Sequence, residues 1–325
     1  MRDAGIKVTA GIDLDPRCRY PFMSNIRVPF LEQDIRSVTA AQLTKLWEPK
    51  SVRVLAGCAP CQPFSSHRRG ADTSGDESWP LLDVFGDLVT ETLPEIVTME
   101  NVCRVSTSAV FQRFVATLAQ EGYAVAYKSC FGPRFGLPQS RRRLILLASQ
   151  KGPINIPTGS RESVDFATVR EAIGGLQPLR NGETDSSDQL HTCRSLTPVN
   201  LSRIRASKPG GTWGDWPAEL RAPCHMRSSG STFRSVYARM EWDKPSPTIT
   251  TQAHNFGTGR FGHPEQDRVI SLREAAILQG FPSDYRFVRP GEPVEFGPLG
   301  RLIGNAVPPP MARSIGSAIM EHLEV

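Results

Sequence analysis

No stretch of this 325-residue sequence stays apolar for the ~18 residues that a membrane span needs. The opening residues Met1-Arg2-Asp3-Ala4-Gly5 have neither the charged leader nor the apolar segment of a signal peptide. Cysteine is sparse and unordered. Seven residues, an odd number, are scattered without a framework pattern, which suits a reducing cytosol rather than a disulfide scaffold. The one close pair, Cys58-x-x-Cys61, has no second Cys/His pair at zinc-binding spacing, so no metal is expected. Internal repeats are absent too. Acidic excess is also missing: the net charge is +5 and the pI about 8.9, which permits a nucleic-acid partner without demanding one. What remains is 39% hydrophobic residues, enough for a core, on a length that fits one large or two ordinary domains. Pro and Gly, 27 each, imply many loops.

The most informative stretch is Gly57-Cys58-Ala59-Pro60-Cys61-Gln62-Pro63-Phe64-Ser65-Ser66. Before it, Val52 to Ala56 reads as a short buried strand that delivers Cys61 to a loop at its C-terminal end. In open α/β sheets that edge is where ligands bind. Pro60 and Pro63 stiffen the chain on either side. On this stretch alone Cys61 fits a nucleophile and an inert core thiol equally well, and a redox group less well, because a Pro follows two residues later where a helix should open.

Ile6 to Asp13 reads as a strand ending in an acid, and a second acid, Asp34, follows the extended stretch from Phe30. A carboxylate at such a strand end commonly takes ribose hydroxyls, or is a solvated loop residue. Thr39 caps a helix running to Trp47. Leu81–Leu93 is an apolar-periodic helix, and Ile96–Met99 a buried strand leading into Glu100-Asn101-Val102. This is the strand–helix–strand unit of a parallel sheet, and it places Glu100 at the same sheet edge as Cys61, one strand over. Val110–Gln120 reads as a helix; Ala124–Ser129 and Arg141–Ala148 read as strands, with Gln139, Arg141 and Arg143 on one face. Those Arg residues want anions or carbonyl oxygens, or form a solvated basic edge.

After Gln150 periodicity fades. Between His191 and Met240 eight basic residues (Arg194, Arg203, Arg205, Lys208, Arg221, Arg227, Arg234, Arg239) face two acids, Asp215 and Glu219, a local charge of +6. Trp213, Trp216, Phe233 and Tyr237 interleave, a pattern that suits a nucleic-acid surface and equally an irregular domain with a basic face. Helical periodicity returns at Ser271, a cap with Glu274 three residues on, and stops at Gly280-Phe281-Pro282. Gly304 to Pro310 reads as a turn opening a last helix, Met311–Leu323.

Taken together, Pro60-Cys61-Gln62, Glu100-Asn101-Val102, Gln139-x-Arg141-x-Arg143, Arg273-Glu274 through Leu278-Gln279-Gly280-Phe281-Pro282, and Gly304-Asn305-Ala306-Val307 resemble the C5-cytosine DNA methyltransferase family, in its order and over nearly the whole chain. The resemblance implies an α/β fold: a Rossmann-like S-adenosylmethionine-dependent sheet with a smaller irregular target-recognition domain. It implies boundaries at 1–150 for the catalytic and cofactor-binding part, 151–267 for target recognition, and 268–325 for a return to the catalytic part. It implies transfer of a methyl group from S-adenosyl-L-methionine to C5 of a cytosine flipped out of double-stranded DNA. Cys61 would add to C6 and Glu100 would contact N3 and the exocyclic amine. Arg143, and also Arg141, would bind O2 and the active-site loop. Asp13, Leu14, Asp34, Ile35, Pro60, Leu81, Asn305 and Val307 would line the cofactor. Ser65 to Gly75 matches the family's mobile catalytic loop. A monomer in a prokaryotic cytoplasm, associated with the nucleoid, is expected; a restriction endonuclease that cuts the same site is a partner the family allows and the sequence does not show.

One family motif is absent. Phe-x-Gly-x-Gly-Gly, after the first strand, should precede Met1, which implies a late start or a truncated chain. Residues 1–325 are then expected to bind cofactor poorly and to fold marginally, with that strand missing from the sheet. Two rivals follow: an inactive DNA-binding remnant, and a tRNA cytosine-C5 methyltransferase, whose Cys-Phe-Thr segment is not found here. The target DNA sequence is not legible.

Overall fold

The structure is a computed structural model and describes residues 1–59, 80–227 and 234–324. The chain forms two compact units. The first comprises Met1–Phe131, Arg142–Gly159 and Met311–Val325; the second comprises Gly132–Arg141 and Ser160–Pro310.

In the first unit the order is β1 (Gly11–Asp13), α1 (Arg19–Ile26), β2 (Phe30–Glu32), α2 (Ala40–Leu46), β3 (Val54–Gly57), α3 (Pro80–Thr92), β4 (Ile96–Asn101), α4 (Ala109–Gln120), β5 (Ala124–Phe131) and β6 (Arg142–Ser149). Four strands form a sheet in the order β3-β4-β6-β5, with β3 parallel to β4 and β6 antiparallel to both its neighbours. β1 and β2 pair in parallel as a separate two-stranded sheet. Among the described residues, β1 thus pairs only with β2, and β3 only with β4. Every residue of β4 is buried, as expected of a central strand covered on both faces. Phe85, Val89, Phe111, Phe114 and Leu118 of α3 and α4 pack with Val97, Met99, Leu144 and Leu146 of the sheet. Gly57 ends β3 where only hydrogen fits, because a Cβ there would lie 2.6 Å from the Phe85 ring. The α2 cap is the one the sequence predicts: Gln42 N–H donates to Thr39 Oγ1, and Thr39 N–H donates back to Gln42 Oε1 at 2.9 Å.

The second unit holds α5 (Val169–Ile173), α6 (Pro198–Ala206), α7 (Leu272–Leu278) and α8 (Phe296–Asn305), with short 3-10 turns and, among its described residues, no named strand. The last helix, α9 (Pro309–Leu323), leads back into the first unit. Val169, Ile173, Met240, Ile249, Phe261, Leu272, Leu278 and Ile303 share one core. Buried charge completes it. Arg268 donates twice to Glu274 at 2.7 Å, and Arg239 donates to the carbonyls of Ile204, Ser207 and His263 and pairs with Asp267.

These boundaries differ from those expected. Residues 268–310 group with residues 160–267 in the second unit, because α7 and α8 bury their apolar faces in the core shared with Val169 and Ile173. Only from Met311 does the chain return to the first unit, and the two units are of nearly equal length. The turn placed at Gly304 begins later, since Gly304 and Asn305 are the last residues of α8. The basic stretch also changes character. Arg239 is buried, and Trp213 and Trp216 pack with Phe256 instead of facing solvent. Arg194, Arg205, Lys208, Arg227 and Arg234 remain exposed.

Candidate active site

In the first unit, β1, β2, β3 and β4 present their C-terminal ends with Asp13, Asp34, Cys58 and Glu100 at or just beyond them. Glu100 and Asn101 close β4 and are buried. Glu100 Oε1 forms an ion pair with Arg143 Nε at 3.1 Å. β6 carries that arginine because its register sets Ile145 opposite Glu100, so Arg143, two residues on, projects from the same face diagonally across. Both partners are largely shielded from water, with side-chain exposures of 14% for Arg143 and 8% for Glu100, and an ion pair so placed loses little to solvent screening.

The loop leaving β3 is anchored to the same strand end. Asn101 Nδ2 donates to the carbonyl of Ala59 at 3.1 Å, and its Oδ1 accepts the Val102 N–H at 2.8 Å. Cys58 Sγ donates to Glu100 Oε2 at 3.4 Å. Neither contact is visible in the sequence, where Cys58 enters only as half of a CxxC spacing. The signal that would have found it is register: Gly57 pairs with Met99, so the next position sets Cys58 beside Glu100. Pro60, Cys61 and the loop Ser65 to Gly75 lie outside the described residues.

Asp13 is exposed, with Oδ1 accepting the Asp15 N–H at 2.9 Å, and Leu14 beside it is 62% exposed. Asp34 accepts the Arg36 N–H at 2.9 Å, and the Arg36 guanidinium holds its carboxyl below the usual carboxylate range. Ile35 packs inward against Leu43 and Leu88. Leu81 is half-buried on the first turn of α3.

The remaining predicted residues belong to the second unit. Asn305 is exposed and Val307 half-buried. Arg141 is almost wholly buried there and donates to the carbonyls of Ile249 and Gly304, each at 3.1 Å. Gln139 is buried as well. It donates to the Leu278 carbonyl at 3.0 Å and accepts the Ile249 N–H at 2.9 Å. The alternation expected at 139, 141 and 143 is present in the burial pattern, but β6 starts only at Arg142, and Arg141 and Arg143 serve different units.

The family described as C-5 cytosine-specific DNA methylase matches residues 1–321. The chain belongs to this family. It is 45% identical over 323 residues to the Type II methylase M.HgiDII of Herpetosiphon aurantiacus, covering 98% of this chain and 90% of that protein. It spans a quarter of a much longer plant relative, DNA (cytosine-5)-methyltransferase 3 of Arabidopsis thaliana, at 27% identity over 90% of this chain. In fold it is similar to the crystal structure of a DNA modification methyltransferase encoded within an E. coli prophage, with a TM-score of 0.74, 20% identity, and 99% of this chain and 94% of that one covered. The fold is that of the S-adenosylmethionine-dependent C5 methyltransferases, a mixed α/β sheet, and the enzyme class is DNA (cytosine-5-)-methyltransferase. Among the described residues of this methylase, no cluster of His, Cys, Asp and Glu could hold a metal. No described helix is long and apolar enough to cross a membrane.

Proposed function

We propose that this methylase moves a methyl group from S-adenosyl-L-methionine to C5 of a cytosine flipped out of a specific duplex DNA sequence, through a covalent Cys61 adduct. The observation that carries the proposal is the Glu100–Arg143 pair at the end of β4, beside the strand end from which the Cys61 loop departs. Cytosine C5 is a poor nucleophile until a thiolate adds at C6 and pushes electron density onto C5. Cys61 supplies the thiolate; once C5 carries the methyl group, loss of the C5 proton and expulsion of that thiolate break the C6–S bond and restore the ring. Glu100 contacts N3 and the exocyclic amine and balances the charge that develops there. Arg143 orients Glu100 and lies in reach of O2. Arg141, tied to two carbonyls, contributes by holding the Ile249 and Gly304 segments.

The residues at the ends of β1 and β2 suit the cofactor. A solvent-facing carboxylate, Asp13, next to an exposed apolar side chain, Leu14, matches a ribose diol beside a flat ring. Asp34 offers a second acceptor for the adenine, half-buried Ile35 backs it from the protein side, and Leu81 and Pro60 join them by resemblance. When bound, the cofactor supplies the electrophilic methyl.

Duplex DNA as substrate follows from this reading, and a monomeric state and a bacterial cytoplasmic, nucleoid-associated setting are proposed with it; a cognate restriction endonuclease is compatible with it. The exposed Arg194, Arg205, Lys208, Arg227 and Arg234 support DNA rather than a small-molecule substrate. Incubation with S-adenosylmethionine and duplexes containing 5-fluorocytosine is the test. Fluorine cannot leave as a proton does, so a covalent protein–DNA species should accumulate and should vanish in Cys61→Ala. A chain that binds DNA and forms no such species would be a binding protein instead.

A further inference from the structure

Cys58 lies outside every role discussed so far, yet it touches the carboxylate on which the chemistry depends. We propose that Cys58 is a positioning residue. Its thiol donates to Glu100 Oε2 and, with Arg143 at Oε1, holds that carboxylate in the orientation that accepts the exocyclic amine of the target base.

Three observations converge. The parallel register between β3 and β4 sets Cys58 alongside Glu100, and side chains at neighbouring positions of paired strands project to the same face. Cys58 is fixed on both sides: Gly57 is wedged against the Phe85 ring, and Ala59 is tied to the Asn101 amide. Cys58 is an exposed residue while Glu100 is buried, and their contact is part-buried, so it lies between the strand end and solvent. A donor there has a geometric consequence. One oxygen of Glu100 faces a guanidinium and the other a thiol, so each carboxylate oxygen has a donor that fixes its direction. A thiol is a weak donor. It can hold the oxygen before the base arrives and give way to the stronger donor of the exocyclic amine.

The proposal rests on Glu100 contacting the target base, so two measurements separate its failure from failure of that reading. The first needs no turnover. A carboxylate beside a sulfur disfavours the thiolate, so Glu100→Gln should speed alkylation of Cys58 by iodoacetamide about three- to tenfold, read by peptide mass spectrometry. An unchanged rate overturns the contact. The second is the rate of covalent trapping on 5-fluorocytosine duplexes. Cys58→Val keeps the volume without a donor, and Cys58→Ser restores a donor. Cys58→Val should trap about tenfold more slowly, the upper end for one lost ordinary hydrogen bond, with duplex affinity unchanged. Cys58→Ser should recover to within about threefold of the wild type. A purely packing role predicts the reverse order. Cys58→Val at the wild-type rate, or both variants equally slow, overturns the proposal; Cys58→Ala replaces Cys58→Val if the latter does not fold. A wild-type chain that forms no adduct sinks the methylase mechanism itself and is recognised by the absence of trapping in every variant.

Discussion

Glu100 and Arg143 show how one residue pair can be structural and chemical together. Removing either partner of a shielded ion pair strands the other charge, at a cost of about 3–5 kcal/mol. Glu100→Gln is a gentler probe because it keeps the shape and one acceptor oxygen. It removes the anion that balances the base and should lower single-turnover methylation by about 10²- to 10³-fold, as for loss of a positioned acid–base group. Binding to duplex DNA should hold, since phosphate contacts dominate affinity. A Glu100→Gln rate within threefold of wild type would remove Glu100 from the mechanism. Arg143→Lys should not substitute, because an ammonium is a compact point charge and cannot reproduce the planar guanidinium that faces Oε1.

At the scale of elements, helix starts were the most legible feature. Thr39 and Ser271 both cap where hydroxyl residues precede apolar periodicity. Strands were legible where burial on both faces makes a continuous apolar run, as in β4. They were overextended where no partner pairs: Ile6 to Ala10 read as strand, yet only Gly11–Asp13 bond to β2. The two arginines of Gln139-x-Arg141-x-Arg143 look alike in sequence and differ in burial, because Arg141 is enclosed by segments more than 100 positions away while Arg143 meets Glu100 of the neighbouring strand. The Cys58–Glu100 contact was illegible for a related reason, since register between strands is a tertiary property. Close packing of α8 offers a test at this scale. A Cβ at Gly304 would sit 2.4 Å from the Thr250 carbonyl carbon and the Thr251 nitrogen, both backbone and unable to yield by a rotamer change. Gly304→Ala should therefore lower unfolding free energy by about 1–3 kcal/mol, as overpacking does. Chemical denaturation would measure it, and an unchanged midpoint would show that the segment at Thr250 gives way freely.

For the molecule as a whole, stability should be strongly pH-dependent, because the second unit buries histidines as neutral rings among cations. Burial holds both His254 and His263 at about 4, against 6.5 for an ordinary histidine. Arg194 adds to the effect at His254; at His263, Arg268 and Arg239 push the same way while Glu274 opposes them. Both values are depressed, so the unfolded chain takes up protons first as pH falls. The stability each ring contributes is fully present above pH 6.5, declines from there, and is gone once pH drops below about 4. The difference corresponds to about 3 kcal/mol per ring, a large share of the 5–15 kcal/mol typical of folded proteins. Glu274 adds to the loss at the acid end. Burial pushes its carboxyl up, but the Arg268 hydrogen bonds and charge outweigh this and leave it below the ordinary value, so its contribution disappears at still lower pH. Melting temperature measured from pH 7.5 to 4.5 should fall steeply below 6.5. His254→Gln removes one titrating ring and should flatten that slope, whatever it does to stability at pH 7.5. Parallel curves for the two proteins would mean that the His254 ring takes up its proton without unfolding.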